Sequence, residues 1–151
     1  MGDKDPGCVF CKRLRAKNDR GNLILYRARK SFVIMNKYPY NGGHLLVVPQ
    51  AHKSSLQSLT PTESCEMFEL ARKSVKILQE CMPADGFNIG MNIGRIAGAG
   101  IEDHLHIHII PRFAGDTSFL AIVAETKVQS ISMMEIYDML KKKFDRLKAW
   151  N

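Results

Sequence analysis

Residues 104–112 read HLHIHIIPR, with an imidazole at every second position from His104 to His108 and Leu105, Ile107 and Ile109 in the alternate places. In an extended chain, side chains at i, i+2 and i+4 share one face and their neighbours point to the other. His104, His106 and His108 therefore line one face of a strand, roughly 6–7 Å apart along it. Leu105, Ile107 and Ile109 point the other way, into a core. Three imidazoles in a row need an anion or a metal to share. They can hold a catalytic zinc with an open coordination position. Alternatively, one neutral imidazole attacks phosphorus while its neighbours hold the phosphate oxygens. Periodicity alone does not choose between these.

Working outward from the run, FNIGMNIG (87–94) alternates as a strand and RIAGAGIED (95–103) is a glycine-rich loop that leads into the histidines. Further upstream, NLILY (22–26), SFVIMN (31–36) and LLVVP (45–49) are short β-rich runs. The polar RARK turn (27–30) separates the first two, and NKYPYNGGH (36–44), dense in Asn, Pro and Gly, separates the second pair. Three such runs form an antiparallel meander. Between 60 and 82 the period changes. Thr60-Pro61-Thr62-Glu63 is a capping box with proline at the first helical position. Met67, Leu70, Ala71, Val75, Ile77 and Leu78 then follow at mostly helical spacing, until Pro83 and Gly86 end the helix. Residues 130–149 form a second amphipathic helix through Ile131, Met134, Ile136, Met139, Leu140, Phe144 and Leu147. The class is α+β: an antiparallel sheet with two main helices packed on it.

Nothing in the 151 residues repeats or marks a linker, so a single domain is expected. The composition, 45% hydrophobic and 25% charged, is that of a globular chain. A net charge of +7 suits anionic partners. The basic residues are densest in KRLRAK (12–17), and the chain lacks finger spacing and aromatic–basic interleaving, so nucleic acid is not expected as the main partner. A pocket for phosphorylated small molecules fits the same charge. No apolar run approaches the ~20 residues of a membrane span. MGDKDPGCVFCKR also lacks a signal peptide's apolar stretch, and a soluble, cytoplasmic chain is expected. In that setting the CVFC pair, Cys8 and Cys11, points to metal or redox chemistry rather than a structural disulfide. Cys65 and Cys81 read as core or partly buried thiols.

HLHIHII also fits the pattern His-φ-His-φ-His-φ-φ, with φ apolar, and thereby resembles the histidine triad family of nucleotide hydrolases and transferases. The resemblance extends from CVFC through MNKYPYNGGHLLVVP (35–49) to the triad, which implies one histidine triad domain over 1–151. The string MNIGRIAGAGIEDHLHIHIIPRFAGDTSF (91–119) is most similar to the diadenosine tetraphosphate phosphorylase branch. The resemblance implies that His106 attacks the α-phosphorus of a dinucleoside polyphosphate or related nucleotide. Water, phosphate or another acceptor then resolves the nucleotidyl-histidine. His108 holds the α-phosphate and the bridging oxygen, and the amides of Gly98 and Gly100 approach phosphate. Asn36 contacts the ribose, His44 shapes the wall beside it, and Phe32 and Ile34 are candidates for the base pocket. Cys8, Cys11, His52 and His104 match a structural zinc set that ties the N-terminal segment, 1–20, to the sheet. Such proteins are usually homodimers that share a sheet, so a homodimer is expected.

Two positions depart from the pattern, and so does the tail after TKV, which reads Gln129-Ser130-Ile131 where relatives tend to continue Ile-Pro-Glu. Ser118 stands where close relatives carry asparagine; if that asparagine reaches the second nucleotide or the incoming phosphate, serine's shorter side chain counts against phosphorolysis. Gly100 stands where the diadenosine triphosphate hydrolase branch carries a phosphate-binding glutamine, which argues against that branch. Two rival readings remain: a nucleotide-binding regulatory module with incidental hydrolysis, and a hydrolase that uses the triad to hold catalytic zinc.

Overall fold

The structure is a computed structural model, and it describes residues 7–116 and 131–147. Its centre is one five-stranded, wholly antiparallel sheet in the order β1-β2-β3-β5-β4. The strands are β1 (Ile24–Arg27), β2 (Ser31–Met35), β3 (Leu45–Pro49), β4 (Gly86–Gly90) and β5 (Ile107–Arg112). The first three form the expected meander. Strand β4 is shorter than the FNIGMNIG alternation suggests and ends at Gly90. Beyond it the chain turns through a 3-10 turn, Arg95–Ala97, into the glycine-rich loop.

Four helices complete the described fold: α1 (Val9–Arg15), α2 (Asp19–Asn22), α3 (Pro61–Cys81) and α4 (Met133–Phe144). Helix α3 begins as its sequence dictates. Thr60 Oγ1 accepts from the Glu63 backbone N–H, and the Glu63 carboxylate accepts from the Thr60 backbone N–H. Together they satisfy two of the N–H groups that a helix start leaves without partners. Ser132 and Glu135 repeat the device on α4. Met67, Leu70, Ala71, Ile77 and Leu78 of α3 and Ile136, Tyr137, Leu140 and Phe144 of α4 are buried in one core with the sheet. Buried Tyr137 also donates its hydroxyl to the Ile24 carbonyl, 2.9 Å away, tying α4 to β1.

Cys65 corrects an expectation: it is exposed, not buried. It lies on the outward stripe of α3 with Phe68 and Arg72, at i, i+3 and i+7, which are all exposed. Helix α1 was not legible as a helix. It places Phe10, 1% exposed, edge-on against Phe32, His104 and His106. The N-terminal segment thus covers the histidine face.

Candidate functional site

Strand pairing puts Ile34, Leu46 and His108 in one cross-strand row, so the histidine face of β5 continues across β3 and β2. Ile107 and Ile109, on the opposite face, are buried as alternation requires. Only His108 lies within the regular ladder, because β5 starts at Ile107. His104 and His106 come before it on an extended stretch held by Leu105 N–H, which donates to the Lys53 carbonyl at 2.7 Å. Phe32 and Ile34 are on the histidine face, but both are fully buried. They therefore act as its packed floor and offer no open pocket surface.

The hydrogen bonds assign each imidazole a tautomer. His106 Nδ1 lies 2.9 Å from the His104 carbonyl, which can only accept, so Nδ1 carries the proton and Nε2 keeps a lone pair. Burial pushes His106 below the usual histidine range, so the ring is neutral at neutral pH. A second chain of bonds begins at the Tyr40 backbone N–H, which donates to His44 Nδ1 at 3.1 Å. His44 Nε2 must then carry the hydrogen, and it donates to His108 Nδ1 at 2.9 Å. His108 is left with its hydrogen on Nε2, a buried donor with no partner among the described residues. Burial, with the neighbouring His106, brings the His108 pKa down to about 4. The centroids of the His106 and His108 rings are 4.7 Å apart. One ring offers a lone pair and the other an unspent N–H.

The approach of the loop 36–44 sets this chain. Gly43 has φ +81°, and a Cβ there would lie 2.7 Å from Met82 Sδ and 3.2 Å from Leu78 and Pro111. Only glycine lets the backbone pass so close to α3 and β5 before His44. Asn36 Nδ2 also reaches His44 Nδ1, at 3.3 Å, and Asn36 Oδ1 accepts from the Tyr38 backbone N–H. Asn41 donates to the Pro111 carbonyl and to Asp116, whose carboxylate the Arg112 guanidinium holds well below the ordinary range. This clamp fixes the loop against β5.

Several site residues were not read from the sequence. Tyr40 stacks on both His44 and His108, with centroids at 5.1 and 6.3 Å. Together with Asn88, Ile89, Gly90, Asn92 and Ile110, it lines a cleft of 160 Å³ beside His108. Asn92 donates to the Gly98 carbonyl at 3.1 Å, and so holds the glycine-rich loop against the end of β4. Gly98 adopts φ +88°, and its own N–H already donates to Arg95 O. Of the two glycines named from the sequence, its amide is thus spent within the loop. Ser118 lies outside the described residues.

The four metal-site candidates do converge. The ligand atoms of Cys8, Cys11, His52 and His104 all lie within 4.8 Å of one another. His104 Nε2 donates to the Pro49 carbonyl at 2.9 Å, so its Nδ1 keeps a lone pair, which faces Cys8 Sγ at 3.1 Å and Cys11 Sγ at 3.7 Å. His52 Nδ1 lies 3.5 Å from Cys11 Sγ, and its Nε2 is 3.9 Å from Asp103. Tetrahedral zinc separates its sulfur and nitrogen ligands by about 3.3–3.8 Å. This donor set fits such an ion after small side-chain adjustments.

The fold and the pair of complementary imidazoles define the class, and the chain belongs to the HIT domain family, whose model matches residues 18–115. It is 38% identical over 111 residues to an AP-4-A phosphorylase of Mycobacterium tuberculosis, an alignment covering 74% of this chain and 57% of that protein. The chain thus spans a little over half the length of that curated relative. A Zn-bound histidine triad family protein from Mycobacterium smegmatis superposes with a TM-score of 0.75 at 25% identity, covering 93% of this chain and 94% of the other. A histidine triad nucleotide-binding protein from Sulfolobus tokodaii gives 0.74 at 27% identity, over 95% and 100%.

Proposed function

We propose that the protein cleaves dinucleoside polyphosphates of the diadenosine tetraphosphate kind, or related nucleotides, through a covalent nucleotidyl-His106 intermediate. The observation that carries this reading is the opposed pair of tautomers: a lone pair on His106 Nε2 beside a partnerless N–H on His108 Nε2. His106 Nε2 attacks the α-phosphorus, a P–N bond forms, and the P–O bond to the bridging oxygen breaks. The electron pair leaves with that oxygen, to which His108 Nε2–H donates a hydrogen bond. A neutral nucleophile avoids the repulsion that an anionic one meets at a phosphoanhydride. In the second step, water or phosphate attacks the same phosphorus and the P–N bond returns its pair to His106. In this reading Asn36 contacts the ribose, His44 holds the tautomer of His108, and the Gly100 amide meets phosphate. Gly98 shapes the loop, and Ser118 is assigned to the far nucleotide or the incoming phosphate from the sequence pattern alone. The phosphorylase relative supports the substrate class.

Cys8, Cys11, His52 and His104 would hold zinc as a closed structural set, giving it no open position for chemistry. A catalytic zinc on the triad is disfavoured, since His104 Nδ1 faces the thiols and His108 Nε2 carries its hydrogen, which leaves His106 as the one triad ring with a lone pair to offer there. Reduced thiols of this kind suit a cytoplasmic setting. Among the described residues, no helix is long and apolar enough to cross a membrane.

Incubation with diadenosine tetraphosphate, with and without phosphate, tests the proposal. ATP with AMP identifies water as acceptor, and ATP with ADP identifies phosphate. Binding without turnover would instead support a regulatory nucleotide-binding module and overturn the enzymatic reading.

A further inference from the structure

The CVFC spacing suits redox chemistry as well as metal binding, and the function above uses only the second. Cys8 and Cys11 are both half-buried and unbridged, and their sulfurs lie within 4.8 Å of each other. Cys8 caps α1 and Cys11 follows three residues on, so the pair shares one stripe of the helix with Lys12 and Arg15. An open cleft of 530 Å³ runs along this stripe, lined by Cys8, Cys11, Lys12, Arg15 and His52. Among the described residues no carboxylate lines it. Lys12 and Arg15 are exposed, so the cleft offers solvent two sulfurs flanked by two cations.

The other face of α1 reaches the histidines. Phe10, between the two cysteines in sequence, is 1% exposed, with its ring centroid 5.4 Å from His104 and 5.2 Å from His106. Cys8 Sγ lies 3.1 Å from His104 Nδ1, and the His104 carbonyl fixes His106 Nδ1. Closing the sulfurs to the ~2 Å of a disulfide bond withdraws both from His104. It also draws in the turn that holds Phe10 against the nucleophile. A ligand that fits the cleft brings negative charge for the cations and an electrophilic sulfur for the thiols. A small acidic disulfide has both.

We propose that the cleft on α1 docks a small acidic disulfide, and that exchange there joins Cys8 to Cys11 and switches the histidine site down. Carboxylates of the disulfide pair with Lys12 and Arg15. Bound zinc keeps both cysteine sulfurs as thiolates, the form that attacks a disulfide. The Cys11 sulfur gives its electron pair to one sulfur of the incoming disulfide, whose S–S bond breaks and whose other half leaves as a thiolate. The Cys8 sulfur then attacks the Cys11 sulfur and expels the remaining half. Both leaving thiolates take protons from water. The cysteine pair is thereby oxidised by two electrons, the incoming disulfide is reduced to two thiols, and the metal is released with its sulfur ligands gone. The inference rests on the function proposed above only for the consequence at His106.

The test uses the full chain carrying Cys65→Ser and Cys81→Ser, which removes the other thiols. Oxidised glutathione serves as the acidic disulfide and 2-hydroxyethyl disulfide as the neutral one. Mass spectrometry is expected to show Cys8 joined to Cys11 with no glutathione retained, and a chromogenic chelator to detect the zinc set free. Adding Lys12→Glu and Arg15→Glu should slow exchange with glutathione by about tenfold or more and leave the rate with the neutral reagent unchanged. Turnover of diadenosine tetraphosphate should fall about tenfold or more on oxidation and return on reduction with added zinc. A thermal melt establishes that each reduced variant is folded. A lasting mixed disulfide, an unreactive pair, an equal effect of charge reversal on both reagents, or full activity after oxidation overturns the proposal. If the reduced protein cleaves no nucleotide, the enzymatic reading fails. The mass, the zinc release and the His106 imidazole resonances before and after oxidation then still decide the switch.

Discussion

His104 uses three different atoms to meet four residues. Its Nδ1 faces the thiols of Cys8 and Cys11, its Nε2–H donates to Pro49, and its backbone carbonyl holds His106 Nδ1. The row of histidines is therefore a division of labour in which the first residue aims the second and His44 aims the third. His106→Ala is expected to abolish turnover while nucleotide binding persists, measured by single-turnover kinetics and calorimetry. Residual activity above about 1% would contradict a covalent route, since losing a nucleophile costs orders of magnitude. His44→Phe keeps a ring under Tyr40 but removes the N–H that fixes His108, and kcat is expected to fall about tenfold or more. The pH profile has a definite sign. Burial places His106 below the ordinary histidine range and His108 at about 4. Both rings are thus neutral at neutral pH, and kcat/KM should decline only on the acid side of about pH 6.5, as His106 Nε2 takes up a proton. A decline that begins above pH 7 would show that the nucleophile is not the buried ring described here.

At the scale of elements, the site depends on a loop fastened to the start of α3. Lys53 Nζ reaches the Glu63 carboxylate and the Ser58 carbonyl, each at 2.6 Å, while the Lys53 carbonyl accepts from Leu105. Glu63 thus caps α3 and anchors the segment that carries His52 beside the triad. Lys53 and the Thr60 amide hold its carboxyl at about 2, against 4.5 when free. A carboxyl with a depressed folded pKa contributes stability above its unfolded value and loses it as pH falls towards the folded one. Glu63→Gln should therefore be less stable than wild type at pH 7, and the difference should close between pH 4.5 and 2, followed by urea midpoints. Lys53→Met is expected to cost about 1–3 kcal/mol, because it strands a mostly buried carboxylate.

The sequence made α3 readable because cap, proline and apolar stripe are all local signals. The strands read well for the same reason, and so did the convergence of Cys8, Cys11, His52 and His104, once the family pattern was set beside the spacing. What stayed hidden was set by tertiary packing. Seven residues do not make a helix on propensity alone, and α1 exists where Phe10 can bury against His104 and His106. The relay from Tyr40 to His108 likewise needs a loop geometry that no periodicity reports. Metal loading belongs to this scale too. The wild type should bind stoichiometric zinc by elemental analysis, Cys8→Ser should lose it, and chelation should lower the melting temperature by about 10 °C or more. Unchanged metal content in Cys8→Ser would remove Cys8 from the site.

At the scale of the whole molecule, the sheet ends close to the site. Strand β4 pairs with β5 on one side, and its other edge has no strand partner among the described residues. Asn88, Ile89 and Gly90 on β4 are exposed, with Ile89 at 50%, and Ile93 just beyond the strand is equally open. An edge that carries apolar side chains and no bulge or proline is a template for another strand. The same residues, Asn88 to Gly90, form one wall of the 160 Å³ cleft beside His108. A second copy pairing antiparallel along β4 would extend the sheet about a two-fold axis and stiffen that wall. We propose that the expected homodimer forms along this edge, and its formation should be coupled to activity. Light scattering should give twice the chain mass for the wild type. Ile89→Arg, which sets like charges against each other across such an axis, should shift the protein towards monomer. Because β4 walls the cleft, kcat/KM should fall with the dimer fraction and recover as protein concentration is raised. An Ile89→Arg protein that stays dimeric would move the interface elsewhere on the molecule. A monomer with full activity would show that the cleft holds its shape without a partner.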